Sequence, residues 1–118
     1  MAATKLKTVH TITKGLLTAL MLFSAGMYFM NYEMITAGFT KLGHPTYLIY
    51  PLAIAKILGV LAIWTNQSQM LKQWAYAGFF FVSVLALSAH IHVNDGEWQP
   101  ALIGVVLSLV AAVSEKKL

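Results

Sequence analysis

The sequence contains no cysteine and no arginine, and only 10% of its 118 residues are charged. Without cysteine the chain has no disulfide framework, no thiolate zinc site and no Cys-x-x-Cys redox centre. The basic residues are all lysine and form no run, so nucleic-acid binding has no sequence support. Nucleophilic catalysis has little support, and a glycine-rich phosphate loop is absent.

Hydrophobic residues dominate what is present: they make up 58% of the chain, and its mean hydropathy is +0.70. A soluble domain of this size carries roughly 25% charged residues, so the surroundings are expected to be lipid. A helix needs about 20 apolar residues to cross the hydrocarbon. We therefore predict a single all-α domain over residues 1–118, an integral membrane four-helix bundle. The predicted spans are about 12–32, 46–64, 74–93 and 100–115.

Lysine placement predicts the orientation of the bundle. Four spans put both termini and the turn near residue 68 on one side, and the positive-inside rule makes that side cytoplasmic. The first span has the basic start of a signal peptide, but Phe23 stands where a cleavage site wants a small residue, so a retained span is favoured. The lysines on the predicted cytoplasmic side are Lys5, Lys7, Lys14, Lys72, Lys116 and Lys117, against Lys41 on the other.

The connection between spans one and two has the pattern of a short helix in the membrane interface. Ile35, Phe39 and Leu42 fall on one helical face, and polar residues fall on the other. Gly43 suits the C-cap of this helix, and Pro45 suits the first turn of the next.

The middle of the chain resembles the DoxX-like family of small bacterial membrane proteins. The resemblance covers about residues 20–100. It implies a four-helix bundle in the bacterial cytoplasmic (inner) membrane. Relatives include a small subunit of a thiosulfate:quinone oxidoreductase, and many members have no assigned activity. The motifs that carry it are Gly38–Phe39, Leu42–Gly43–Pro45, Lys56–Leu58–Gly59, Trp74 to Phe79, and Ser88–His90.

Lys56 is the sharpest functional signal, because it interrupts an otherwise apolar span near its middle. An ionisable group there costs about 2.5–3.5 kcal/mol on insertion scales, so it should face the bundle interior, water or a ligand. The structural alternative is that the Lys56 side chain snorkels toward the membrane surface, or that it donates hydrogen bonds to backbone carbonyls near Pro51. Helical spacing puts further polar groups on inward faces of spans one and three. The predicted ligand-binding residues are Lys56, His90, Tyr28, Ser83 and Ser24.

A polar track from Lys56 is expected to open toward outer-face residues, namely Glu33, His44, His92, Asp95 and Glu97. The stretch "SAHIHVNDGE" also invites a metal interpretation, but His90 and His92 point to different sides of a helix. Asp95–Gly96 is equally a turn signal. We therefore predict no metal site, and no haem, since a second mid-membrane histidine is missing.

Three functions remain open from the sequence. The favoured one is an accessory or binding subunit, not an enzyme on its own, that holds a partner protein or a lipophilic ligand around Lys56. The first alternative is a quinone-binding subunit of a membrane oxidoreductase, in which Lys56 and His90 donate hydrogen bonds to quinone carbonyls. The second is a small carrier or channel formed as an oligomer. The expected partners are the lipid bilayer, another membrane protein or a soluble oxidoreductase, and a second copy of the chain. A quinone or another lipid is the ligand left open, and no other cofactor is predicted.

Overall fold

A computed structural model describes residues 2–65 and 67–117 of the chain, and no strand occurs among them. Four stretches are long and apolar enough to cross a membrane: Ala2–Met30, Thr46–Thr65, Gln69–Val93 and Gln99–Lys117. The predicted four-helix membrane bundle is therefore confirmed. The elements in chain order are α1 Ala2–Met30, α2 Tyr32–Leu42, a 3-10 turn Thr46–Leu48, α3 Ile49–Thr65, α4 Gln69–Val93 and α5 Gln99–Lys117.

Two helices begin well before the apolar windows that predicted them. α1 starts at Ala2, and α4 starts at Gln69, where the Ser68 side chain accepts a hydrogen bond from the Leu71 backbone nitrogen at 3.3 Å. Hydropathy locates the lipid-facing part of a helix, whereas its ends are fixed by capping groups and polar helix formers. The first predicted span also ran too far, because Asn31 (φ −123°, ψ 51°) separates α1 from α2.

The short helix predicted between spans one and two is α2. Its C-cap is Gly43 in the left-handed region (φ 79°), where the Gly43 nitrogen bonds the Thr40 carbonyl and the His44 nitrogen bonds the Phe39 carbonyl. Phe39 is the buried residue of α2, and its ring packs edge-on against Tyr28 of α1 at 5.6 Å. The apolar face of α2 thus caps one end of the bundle.

The four long helices form a ring in which every neighbouring pair is antiparallel. α1 packs against α3 and α5, and α4 packs against the same two helices. We call the end that carries both chain termini and residues 67–68 the termini end, and the opposite end, with α2 and the α4–α5 connection, the loop end. Lys72 of α4 meets Glu115 of α5, and Ser83 of α4 lies against Gly104 of α5. The same number of residues lies between these two contacts on both helices, as expected for antiparallel neighbours.

An apolar core fills the bundle between its middle and the termini end. Gly104 marks its boundary on α5: a Cβ added there would lie 2.5 Å from Ser83 Oγ and 3.4 Å from Leu20 Cδ2. The missing side chain therefore lets α5 approach both α4 and α1 closely at this level, as small residues do in membrane bundles. The core cluster consists of Leu17, Met21, Val60, Ile63, Tyr76, Phe79 and Ala111.

Candidate ligand pocket

Lys56 lies on the inward face of α3 and is 7% exposed. Its Nζ donates a hydrogen bond to Ser24 Oγ at 2.7 Å and lies 4.1 Å from the centre of the Tyr28 ring. A desolvated ammonium on an aromatic face gains electrostatic stabilisation from the ring quadrupole. Both partners come from α1, so Lys56 points toward the loop end of the bundle interior and not toward lipid.

A cavity of about 620 Å³ lies beside Lys56, in the loop-end half of the bundle. α1 and α4 form its long walls, the residues from Gly96 to Ala101 form its rim at the start of α5, and Ile35 of α2 covers it. This volume lies in the usual range of small-molecule sites. The cavity is lined by all five residues that the sequence predicted as ligand-binding: Lys56, His90, Tyr28, Ser83 and Ser24.

A histidine–carboxylate pair lies at the rim. His90 Nδ1 is 2.8 Å from Asp95 Oδ2, and Asp95 Oδ1 accepts a hydrogen bond from the Glu97 backbone nitrogen at 2.9 Å. The Glu97 N–H and the His90 ring together hold the pKa of Asp95 below its ordinary value. Because Nδ1 faces a carboxylate, it carries a proton, and Nε2 is then the lone-pair acceptor of a neutral His90 ring.

The turn that positions this pair follows from local sequence. Asn94 ends α4 in the left-handed conformation (φ 55°), and its backbone nitrogen bonds the carbonyls of His90 and Ile91. Gly96 also has positive φ (77°), which glycine adopts without steric cost. These two residues fold the chain back, so that Asp95 reaches the histidine one turn earlier on α4.

The other predicted outer-face residues do not all reach the cavity. Glu97 lines it, and Asp95 is linked to it through His90. Glu33 and His92 are exposed, and the His44 ring packs against Phe39 at 5.8 Å. Of the predicted outer-face residues, only Glu97 lines the cavity. Glu33 and His44 belong to α2 and its C-terminal turn, and Ile35 is the residue of that helix that lines the cavity.

The residues best placed to hold a metal ion are His90, Asp95 and Glu97, whose nearest ligand atoms lie within 4.8 Å of one another. In this arrangement His90 Nδ1 and both Asp95 oxygens already take part in hydrogen bonds that cap the α4–α5 turn. His92 lies outside the group, as its two-residue spacing from His90 predicts.

A second buried polar group, at the termini end, escaped the sequence analysis. Lys72 Nζ lies 3.2 Å from Glu115 Oε1, and His10 Nδ1 lies 2.7 Å from Ser114 Oγ. His10 Nε2 lies 3.8 Å from the same Glu115 oxygen. Lys72, one of the lysines predicted on the cytoplasmic side, is thus buried, with 6% exposure. A sequence signal existed: Lys72, Ser83 and His90 share one face of α4 at helical spacing.

A sequence model described as the DoxX-like family matches residues 12–114. No curated protein and no solved structure matches the chain at a significant level.

Proposed function

The chain belongs to the DoxX-like family, and we propose that this multi-pass membrane protein holds a lipophilic ligand in the cavity around Lys56. In this proposal the protein acts as an accessory or binding subunit beside another membrane protein or a soluble oxidoreductase, or as an oligomer of its own chain. Its residues supply binding and orientation, and any electron transfer belongs to the partner.

The observation that carries the proposal is a buried cation beside an apolar cavity. Lys56 is held by Ser24 and Tyr28 inside the bundle, while most of the cavity wall is apolar. Charged residues inside membranes are costly, and those that persist mark ligand or ion sites by default. A lipophile with one polar end matches this distribution.

The test is lipid extraction of purified protein followed by mass spectrometry. Wild-type protein is expected to retain a lipophile in stoichiometric amount, and Lys56→Met is expected to lose it. Lys41→Met is the matched control, since Lys41 is exposed in the last turn of α2 and lies outside the cavity. Equal retention by Lys56→Met, or stoichiometric lipophile in neither protein, would contradict the proposal.

The His90–Asp95 pair favours a second candidate, a quinone-binding subunit. With its Nδ1 proton held by Asp95, a neutral His90 presents Nε2 as a proton acceptor, and the carboxylate stabilises the imidazolium that forms. A quinol hydroxyl is a chemically suitable proton donor. Quinone that co-purifies with wild-type protein but is lost from His90→Phe would support this candidate, and quinone absent from the wild type would exclude it.

A channel or carrier receives less support from the geometry. The apolar core cluster, with Leu17, Phe79 and Ala111, lies between the cavity and the polar group at the termini end. Such a layer excludes water and ions, so the cavity is better suited to hold a ligand than to pass one through. Proton or ion flux into liposomes that contain only this protein would overturn this preference.

We propose a bacterial inner-membrane location with both termini in the cytoplasm. The support is the lysine asymmetry between the two ends. Since the chain has no native cysteine, single cysteines can report the topology. In intact cells an impermeant maleimide should label Glu97→Cys and not Gln67→Cys, and labelling of residue 67 alone would reverse the orientation.

A further inference from the structure

The charge of Lys56 has no counterion among the residues that the structure describes. Among residues 2–65 and 67–117, no carboxylate oxygen lies within 4 Å of its Nζ, whereas Lys72 has Glu115 at 3.2 Å. An ammonium carries three N–H groups. Ser24 takes one, and the Tyr28 ring faces the cation, which leaves hydrogen-bonding capacity for the cavity. The cavity wall therefore carries an uncompensated positive charge, which is costly in apolar surroundings.

Negative charge lies at the opposite side of the cavity. Glu97 lines the rim at the loop end, and Asp95 is tied to His90 just beside it. An anionic group is therefore repelled at the aqueous rim and attracted at the deep end, next to Lys56. This polarity orients an amphiphile with its charged end in the middle of the bundle.

The apolar part of such a molecule has a way out between α1 and α5. These helices pack tightly where Leu20 meets Gly104, but nearer the loop end the cavity lies between them. Its lining there includes Phe23 and Met27 from α1, with Pro100 and Ala101 from α5. Phe23 is 70% exposed, at a level where the surroundings are lipid. The side opening is thus apolar and faces the bilayer.

We propose that the cavity binds a single-chain amphiphile with a carboxylate head, such as a fatty acid anion, which pairs with Lys56 and extends its tail into the bilayer between α1 and α5. This inference rests on the proposed function and names its ligand class. The carboxylate supplies the missing counterion and accepts the N–H that the protein leaves unused. A cavity of about 620 Å³ accommodates the head and the first part of one chain, while lipid surrounds the rest.

The experiment compares single-chain amphiphiles with different head groups. Purified protein in nanodiscs is equilibrated with radiolabelled dodecanoate, dodecanol, dodecyl phosphate or decylubiquinone at a pH where dodecanoate is ionised, and the bound probe is counted. Wild type is expected to bind dodecanoate at least about tenfold more tightly than dodecanol, after correction for partition into empty nanodiscs. Lys56→Met should abolish this difference, Lys56→Arg should keep it, and Lys41→Met should match wild type. Circular dichroism confirms that each variant is folded.

The possible outcomes separate the two levels of the proposal. Equal binding of dodecanoate and dodecanol, or tighter binding of decylubiquinone, overturns the carboxylate head but leaves a lipophile site in place. Preference for a phosphate-headed single-chain lipid over dodecanoate also overturns the head assignment. If no probe binds beyond its partition into empty nanodiscs, the proposed function itself fails.

The tail route has its own readout. A fatty acid with a diazirine in mid-chain should crosslink to peptides that contain Phe23 or Ala101 more strongly than to the lipid-facing side of α3. Loss of these crosslinks in Lys56→Met, together with unchanged labelling of the outer surface, supports the route. Crosslinks at α3 alone would overturn it.

Discussion

Lys56 and Lys72 are both buried, at 7% and 6% exposure, but their surroundings differ in two respects. Lys72 faces the Glu115 carboxylate within a group that also contains His10 and Ser114. Lys56 faces a hydroxyl, an aromatic ring and a cavity. The protein thus places a carboxylate beside the buried lysine at the termini end. Beside the buried lysine in the loop-end half it places an open cavity.

We propose that the difference separates a structural use of a buried charge, at Lys72, from a ligand-binding use, at Lys56. Lys72 and Glu115 join α4 to α5, and His10 brings in α1, so that the termini end is closed by polar contacts among three helices. Around Lys56 the helices stay apart and keep space. Burial alone therefore does not identify a site, whereas burial with unused bonding capacity and adjacent volume does.

The largest expected effect is the loss of the termini-end pair. Lys72→Met leaves the Glu115 carboxylate without its ammonium, and we expect a loss of about 3 kcal/mol in the free energy of unfolding. The double variant Lys72→Met/Glu115→Leu should recover most of it, because apolar residues often replace a buried ion pair at little cost. Denaturant titration in micelles, followed by circular dichroism, measures both. Additive losses in the double variant would show that the two residues are not coupled.

The second-largest effect is expected at Gly104, on the boundary between the apolar core and the cavity. Gly104→Ala places a Cβ 2.5 Å from Ser83 Oγ and 3.2 Å from Ser83 Cβ, so the Ser83 hydroxyl must rotate away or α5 must move from α4, and we expect a loss of about 1–3 kcal/mol. Gly15→Ala is the matched control, since an added Cβ has no neighbour within 4 Å there. It should be neutral or stabilising, because alanine favours a helix over glycine by up to about 1 kcal/mol. Equal behaviour of the two variants in the same titration would contradict the tight approach at Gly104.

The same substitution used at Lys72 should have little effect at Lys56. Lys56→Met removes a charge that lacks a counterion and keeps the side-chain volume, so the free energy of unfolding should change by less than about 1 kcal/mol, or rise. Lys56→Ala should lose about 2 kcal/mol, because it also removes packing. The denaturant titration that shows a large loss for Lys72→Met serves as the reference. A comparable loss for Lys56→Met would show that both lysines stabilise the fold and would remove the difference between them.

The smallest effect is a local response to acid at the cavity rim. The pKa of Asp95 is lowered in the folded protein, chiefly by the Glu97 N–H and then by His90. The ionised Asp95 therefore stabilises the folded turn above its ordinary pKa of 3.8, and this stabilisation is lost as the pH falls through the lowered pKa of the folded protein. As the pH falls below 3.8 toward the lowered pKa of folded Asp95, the protection factor of the Glu97 amide against hydrogen exchange should fall. Asp95→Ala, which removes the acceptor of the Glu97 N–H, should show low protection at every pH. An unchanged protection factor in acid would mean that another group holds this turn.

Local sequence was enough to predict the main elements and much of the cavity wall. The Gly43 cap and the short α2 follow from residues within a few positions of each other. Lys56, Ser24 and Ser83 could be assigned to inward faces, because a polar group in a span avoids lipid and helical spacing fixes which residues share its face. The exclusion of Glu33 and His44 from the track could not be predicted, because it depends on how α2 sits over the bundle.

The sequence by itself determined that this is a bundle of four apolar helices with a cation in the middle of one, since hydropathy and helical periodicity are properties of each segment alone. Only the tertiary structure decided that Lys72 meets Glu115 and that Lys56 meets no carboxylate within residues 2–65 and 67–117. His10 and Ser114 stand near opposite ends of the chain, and no local pattern encodes their contact. The reason is physical: in a closed bundle the partner of a buried charge is set by which helices are neighbours and by their register, and both depend on the packing of all four helices together.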